Sequence, residues 1–249
     1  MPRCSACTFA NFCLPGGMTR RDSERMDSVV LGRVSLHKGE SLYQPGDPVN
    51  AIYAIRVGTL KTQVATQDGR VQIVGFHLPG ELIGLESLVS TRQMSQAIAL
   101  EDARLCRVNL PALRTLAGNL PSLHNNLLRL LATEVQHDHA MLAILGVLNA
   151  EERLVSFLLD LSCRLSARGF ASNEFQLRMT REEIGSYLGL KLETISRLFS
   201  RLSDAGLITI RHRHVKLIDM TGLHEIHSRS AAATVPTRKI EEALFGHAR

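Results

Sequence analysis

The hydrophobic period of this chain changes at Pro121, and no other feature limits its fold so much. Upstream, from about Leu31 to Val108, the chain reads as short strands such as SLYQPGD, AIYAIRVGTLKTQVATQDG and VQIVGFHLPGEL. Pro45-Gly46-Asp47, Gly58, Asp68-Gly69 and Pro79-Gly80 punctuate them. Turn signals at roughly ten-residue intervals suit an antiparallel roll or barrel, in which tight turns join neighbouring strands. Downstream of Pro121 apolar residues return every three or four positions as far as Leu148. That is one long helix, and a chain with both halves is α+β.

Within that helix His124, Leu128, Leu131, Val135, Asp138, Leu142 and Leu145 alternate in steps of four and three. This is a heptad seam, along which two helices pack over their lengths. A second apolar edge, Leu127, Leu130, Met141 and Ile144, is left to face the β-domain. A homodimer is therefore expected, with the seam as its interface. Asp138 is the acidic member of the seam. In a parallel dimer two such carboxylates approach each other, which costs free energy in a partly buried setting. Either the side chain turns to solvent or it keeps dimerisation marginal.

Asn149 caps the next helix, with Glu151 and Glu152 in its first turn, and Gly169 ends it. Leu154, Phe157, Leu158, Leu161 and Leu165 share one face of that helix, and Cys163 falls off it. Residues 179–217 read MTREEIGSYLGLKLETISRLFSRLSDAGLITIRHRHVKL. Thr180 and Glu183 form a capping box for a helix over Arg181–Leu188. Gly189 makes a turn, a second helix runs from about Lys191 to Asp204, and Gly206 stops it. Ile184, Leu188, Leu192, Ile195, Leu198 and Leu202 pack the pair together. Leu207–Ile210 and His214–Leu217 read as a two-stranded wing around Arg211-His212-Arg213. Helix, glycine turn, helix and wing is the winged form of the DNA-binding helix-turn-helix. The outer face of the second helix carries Lys191, Glu193, Thr194, Ser196, Arg197, Ser200 and Arg201. Glu193, Ser196 and Arg197 gather near its N-terminus, the end that enters the major groove. Arg can bond guanine O6 and N7 together, and Glu can accept from cytosine N4.

The length of 249 residues accommodates two domains. Net charge is +5, and its distribution says more: between Arg178 and Lys216 eight Lys or Arg face four Asp or Glu. A DNA-reading segment carries such an excess. No apolar run reaches the length of about eighteen residues that suggests a membrane span. The N-terminal MPRCSACTFANFC lacks the apolar core of a signal peptide. A cytoplasmic protein, with reduced thiols, is expected.

Five cysteines remain. Cys4, Cys7 and Cys13 stand in CSACTFANFC with C-x2-C-x5-C spacing, Cys106 stands in ARLCRV, and Cys163 has no cysteine near it. Three chemistries compete for the first four. Free thiols or a disulfide are one, although a cytoplasmic chain keeps no structural disulfides. A closed Cys4 zinc site is another, but it usually shows two C-x2-C pairs. The third is an iron–sulfur cluster, for which thiolates are soft ligands. Spacing alone slightly favours the third.

CSACTFANFC with Cys106, YAIRVGTLK, GFHLPGEL, NAEERL and MTREEIGSYLGLKLETISRL, in that shared order, resemble the oxygen-responsive fumarate-and-nitrate-reduction regulators. These are a branch of the cyclic-AMP receptor protein superfamily, and the resemblance covers nearly the whole chain. It implies a cluster-binding segment at 1–20, a cyclic-nucleotide-binding-like β-roll at 21–118 and a dimerisation helix at 119–148. A winged helix-turn-helix at 149–222 and a tail at 223–249 would follow. It implies one 4Fe-4S cluster per subunit, held by Cys4, Cys7, Cys13 and Cys106. The loaded homodimer would bind double-stranded DNA at a palindrome close to TTGAT-N4-ATCAA and act with RNA polymerase. Glu193, Ser196 and Arg197 match the family's base-reading residues, with Lys191, Thr194 and Arg201 beside them. Oxygen would convert the cluster to a 2Fe-2S form and the dimer would fall apart. Asp138 matches the family's acidic residue that opposes dimerisation.

The chain departs from the pattern in places. Arg70, in a loop that can touch RNA polymerase in the family, stands where an acidic residue is common. Cys163 has no role in the pattern. Gly80-Glu81-Leu82 resembles the start of the cyclic-AMP phosphate cassette, but Met94-Ser95 replaces the Arg-Ser pair that neutralises the phosphate. A buried phosphate without its Arg is costly, so no cyclic nucleotide is expected. No nucleophile–base pairing, P-loop or Rossmann fingerprint is present, so no enzyme is expected either.

Overall fold

A computed structural model of the chain describes residues 3–228. It divides after Ala132 into two compact units. The N-terminal unit holds eight strands: β1 (Val30–Leu36), β2 (Ser41–Tyr43), β3 (Ala51–Val57), β4 (Leu60–Ala65), β5 (Val71–His77), β6 (Leu82–Ile83), β7 (Gln96–Ala99) and β8 (Ala103–Asn109). They pair antiparallel in two sheets, β1-β8-β3-β6 and β2-β7-β4-β5.

Side-chain alternation along β3 and β8 assigns the two faces of the first sheet. Ile55, Ala103 and Leu105 enter the core between the sheets, with Tyr43, Leu60, Ile83 and Ala97. Ile52, Ala54, Cys106 and Val108 enter a second core on the other face, with Leu14, Met26, Leu113 and Leu123. That outer core is closed by the N-terminal segment, α1 (Arg20–Met26), α2 (Leu110–Gly118) and the start of α3 (Pro121–Val147). Helix α1 has no counterpart in the expectations. Its sequence RRDSERM buries only Ser23 and Met26, so it carries no helical apolar period.

The C-terminal unit holds the second half of α3, then α4 (Ala150–Ala167), β9 (Glu174–Gln176), α5 (Arg181–Leu188), α6 (Leu192–Asp204), β10 (Ile208–Arg211), β11 (His214–Leu217) and α7 (Met220–Ser228). Capping boxes at Asn149–Glu152 and Thr180–Glu183 start α4 and α5, and Gly189 closes α5 in the left-handed region. Four expectations change. The wing has three strands in the order β10-β11-β9, because Glu174–Gln176 adds to His214–Lys216. Leu192 does not pack the helix pair; it is exposed at the start of α6, while buried Phe199 sets its ring 5.1 Å from the Arg181 guanidinium of α5. Met141 and Ile144 face Phe157, Tyr187 and Leu188 of their own unit rather than the β-domain. Only Leu127 and Leu130 of that edge pack on the N-terminal core. The expected tail boundary at 223 falls inside α7, whose Leu223, Ile226 and His227 are buried. His227 Nδ1 meets Ser156 Oγ of α4 at 2.7 Å. Residues 229–249, the rest of the expected tail, lie outside the described residues.

Candidate functional site

Two short 3-10 turns place three of the cysteines. Cys4–Ala6 forms the first, closed by the Cys7 N–H on the Cys4 carbonyl. Ala10–Phe12 forms the second, closed by the Cys13 N–H on the Ala10 carbonyl. The Cys4 N–H donates to Asp27 Oδ1 at 2.6 Å and anchors the first turn. The second presses on the Pro79-Gly80 turn, where a Cβ at Gly80 would stand 2.8 Å from Phe12 Cβ. Gly80 also has φ +93°, which any side chain resists. Cys106 lies in β8, opposite Arg33 of β1 and Ala54 of β3. A residue held on both sides by a ladder cannot travel, so the N-terminal segment is brought to it.

All four thiols line one cleft of roughly 450 Å³, part of it open to solvent, with Arg56, Val30 and Ala54. The register of β3 on β8 shifts between Ile55 and Val57, and Arg56 sits at that bulge. Bulges re-aim side chains, and this one brings Arg56 to the cleft. Burial pushes the Cys4 thiol up to about 12, and the Asp27 carboxylate adds to the effect. Burial also raises Cys13 and Cys106, while the Arg56 guanidinium beside the Cys106 sulfur works the other way. These three thiols therefore stay protonated until a bound cation expels the protons.

Among the described residues no three His, Cys, Asp or Glu side chains are set to hold one metal ion. Two metal chemistries use thiolates of this kind. Four thiolates on one zinc lie about 3.8 Å apart, given Zn–S bonds of about 2.3 Å. A cluster offers each thiolate its own iron and spans a wider ligand set. Four thiols lining one cleft are a donor set that a thiolate-held cluster can use. Cys163 lies elsewhere, half-buried on α4 beside Asp160 and Arg164.

The second constellation is α6. Ile195, Leu198, Phe199 and Leu202 bury one face against Ile184 and Leu188 of α5. The opposite face is left free, with Lys191 as N-cap and Glu193 and Arg197 exposed on it. Thr194 and Ser196 are half-buried at its margin. Arg197 Nε rests 3.4 Å from the Glu193 carbonyl, so its guanidinium stays at the helix N-terminal end. Arg201 behaves differently. Its Nη2 pairs with Glu151 Oε1 of α4 at 2.7 Å, which ties α6 to the first turn of α4.

On α3 the seam is uneven. Leu128, Val135 and Leu142 are 54%, 51% and 67% exposed, and Asp138 is exposed between them. Leu131 and Leu145 are half-buried. Three large apolar side chains in water along one line, on a helix of 27 residues, form a surface that needs a cover.

Comparison with known proteins identifies the family of both parts of the chain. A family model described as "Cyclic nucleotide-binding domain" matches residues 33–119, and one described as "Crp-like helix-turn-helix domain" matches 152–226. The chain is 47% identical to "Transcriptional regulatory protein btr" of Bordetella pertussis, covering 90% of this chain and 92% of that one. It is 36% identical to "Fumarate and nitrate reduction regulatory protein" of Escherichia coli K12, covering 92% of each. The chain belongs to the CRP/FNR family. Among solved structures it is similar to FixK2 from Bradyrhizobium japonicum, with a TM-score of 0.73, 32% identity, and coverage of 78% of this chain and 96% of that one. Like these relatives, it is a DNA-binding transcription regulator of the anaerobic-regulator branch, and not an enzyme.

Membership in the CRP/FNR family makes the β-roll a place to look for a nucleotide, and its residues there are informative. Ser95 Oγ donates to Glu86 Oε1 at 2.9 Å, and the Tyr43 hydroxyl lies 3.4 Å from the same oxygen. Met94, in place of the family's phosphate-neutralising Arg, is 69% exposed. The Ser95 hydroxyl is thus engaged by a carboxylate. Sequence reading missed three residues at the cysteine cleft: Arg56, Gly80 and Asn126. Only Asn126 left a signal, as the polar member of the otherwise apolar edge Leu123, Leu127, Leu130.

Proposed function

We propose that this CRP/FNR-family protein is a cytoplasmic global anaerobic regulator that senses oxygen through one 4Fe-4S cluster per subunit. Cys4, Cys7, Cys13 and Cys106 would hold the cluster, and the one cleft that all four thiols line, in a chain whose relatives include fumarate and nitrate reduction regulatory proteins, supports that reading. When bound, the cluster supplies the oxygen-reactive chemistry. The protein's residues exclude water from Cys13 and Cys106 and set Arg56 beside the Cys106 sulfur. The exposed Leu128, Val135 and Leu142, with Leu131 and Leu145, would close a homodimer along α3. Its two α6 helices would read a palindrome close to TTGAT-N4-ATCAA. Glu193, Ser196 and Arg197 would touch bases, with Lys191 and Thr194 beside them, while Arg201 would hold α6 in place through Glu151. The loop 67–70 would face RNA polymerase. No cyclic nucleotide would bind, because Glu86 occupies Ser95.

The deciding experiment is anaerobic purification with iron and sulfide counts and a visible spectrum. About four of each per chain is the expected result, from the cluster's composition; a colourless zinc protein would sink the cluster and leave the DNA reading standing. For the DNA reading, Arg197→Ala is expected to lose about 1–3 kcal/mol of operator binding and to relax preference at one base pair. Non-specific binding, which rests on phosphate contacts, should persist. Equal losses on operator and random DNA in a competition gel shift would assign Arg197 to the backbone instead.

A further inference from the structure

The buried edge of α3 contains one polar side chain. Leu123, Asn126, Leu127 and Leu130 follow helical spacing, and Asn126 is only 5% exposed. A leucine there would bury more apolar surface, and an unpaired buried amide is costly. The Asn126 amide is fully employed. Its Nδ2 donates to the Cys13 carbonyl at 3.1 Å and to the Leu14 carbonyl at 2.5 Å. Its Oδ1 accepts from Arg129 Nε at 2.9 Å and from Arg129 Nη2 at 2.7 Å. The same Arg129 head fits over Gly16, where a Cβ would meet Nη2 at 3.1 Å and the Asn11 carbonyl at 2.8 Å. The Cys13 carbonyl also accepts from the Gly16 N–H at 2.9 Å. The backbone around one cysteine is thereby clasped by two residues of the long helix.

Asn126 lies two residues before Leu128 and two after His124, which on a helix is the face opposite the seam. A displacement of Cys13 is therefore felt at α3 through a short, directional and fully satisfied contact. The apolar neighbours add packing but no directional bond to the Cys13 backbone. We infer that Asn126, oriented by Arg129, is the positioning residue that transmits the state of the cysteine segment to the dimerisation helix. This rests on the cluster reading of the cysteines.

The test compares wild type, Asn126→Leu and Asn126→Gln in two arms. In the metal-free proteins, hydrogen exchange is followed at residues 13–18 and 121–130. Asn126→Leu should lose protection at both segments together, and Asn126→Gln should restore it in part. This arm needs no cluster, so it judges the clasp even if the wild type takes up no iron, in which case only the cluster reading fails. In the second arm, dimer dissociation is measured with and without iron, at matched iron and sulfide content. Loading should tighten the wild-type dimer. It should tighten the Asn126→Leu dimer by at least about tenfold less, as expected for two hydrogen bonds. Unchanged exchange at 13–18 in Asn126→Leu would overturn the proposal. So would a wild-type response of the loaded variant, or its failure to hold a cluster at all, which would make Asn126 a scaffold of the site.

Discussion

Cys106→Ser protein, reconstituted with iron and sulfide without oxygen, is expected to hold no iron above background, whereas Cys163→Ser should load fully. The asymmetry follows from placement. Cys4, Cys7 and Cys13 belong to a segment of short turns that can adjust to a missing partner. Cys106 belongs to β8, paired with β1 and β3 on both sides, and nothing can move in to replace it. Serine is a poor substitute, because a hydroxyl is a hard ligand and iron–sulfur clusters select thiolates. The metal-free fold should survive the change at a cost of about 1–3 kcal/mol for placing a hydroxyl in this apolar core. Cys106 is a protonated thiol in that state, since burial raises it, and serine is close to it in shape. Iron and sulfide counts, the visible spectrum and the melting temperature of the metal-free protein together separate lost ligation from lost folding. Full iron in Cys106→Ser, or an empty Cys163→Ser, would reassign the ligands.

The parts of this molecule that announce themselves in the sequence are those whose cause is local. Asn149 with Glu152, and Thr180 with Glu183, are capping boxes three residues apart, so α4 and α5 begin where their side chains say. Glycine and proline turns delimit the strands from Val30 to Asn109 for the same reason. What escaped was decided at a distance or in too few residues. Strand β9 has three residues and exists because β11 offers it an edge. Helix α7 buries Leu223 and His227 against α4, some seventy residues earlier in the chain. Arg201 reads as a free cation on α6 until Glu151, fifty positions away, is seen beside it. At the cysteine cleft, the four cysteines that line it could be singled out from their spacing and the family resemblance. Arg56 could not, because it reaches the cleft only through a register shift between two strands.

Asp138→Ala should yield a protein that dimerises and binds operator in air, with no cluster. The seam offers apolar Leu128, Val135 and Leu142, each more than half exposed on the single chain, and burying them favours the dimer. Asp138 shares the line with them and is exposed as well. Closing a parallel pair would bring like charges together, which opposes the apolar gain. If the two nearly balance in the metal-free protein, a small change tips the equilibrium, since about 1.4 kcal/mol shifts it tenfold. Alanine removes the charge and leaves a small apolar residue; Asp138→Asn removes the charge and keeps the shape. Repulsion as the cause predicts that both variants dimerise more tightly than wild type in sedimentation equilibrium. It also predicts that salt mimics them. Screening shortens from about 10 Å at 0.1 M to about 3 Å at 1 M, so wild type should associate more strongly as salt rises. The Asp138→Ala dimer should respond less. If Asp138→Ala gains and Asp138→Asn does not, packing rather than charge sets the balance. Monomers in all three proteins at the same concentration would remove Asp138 from the switch.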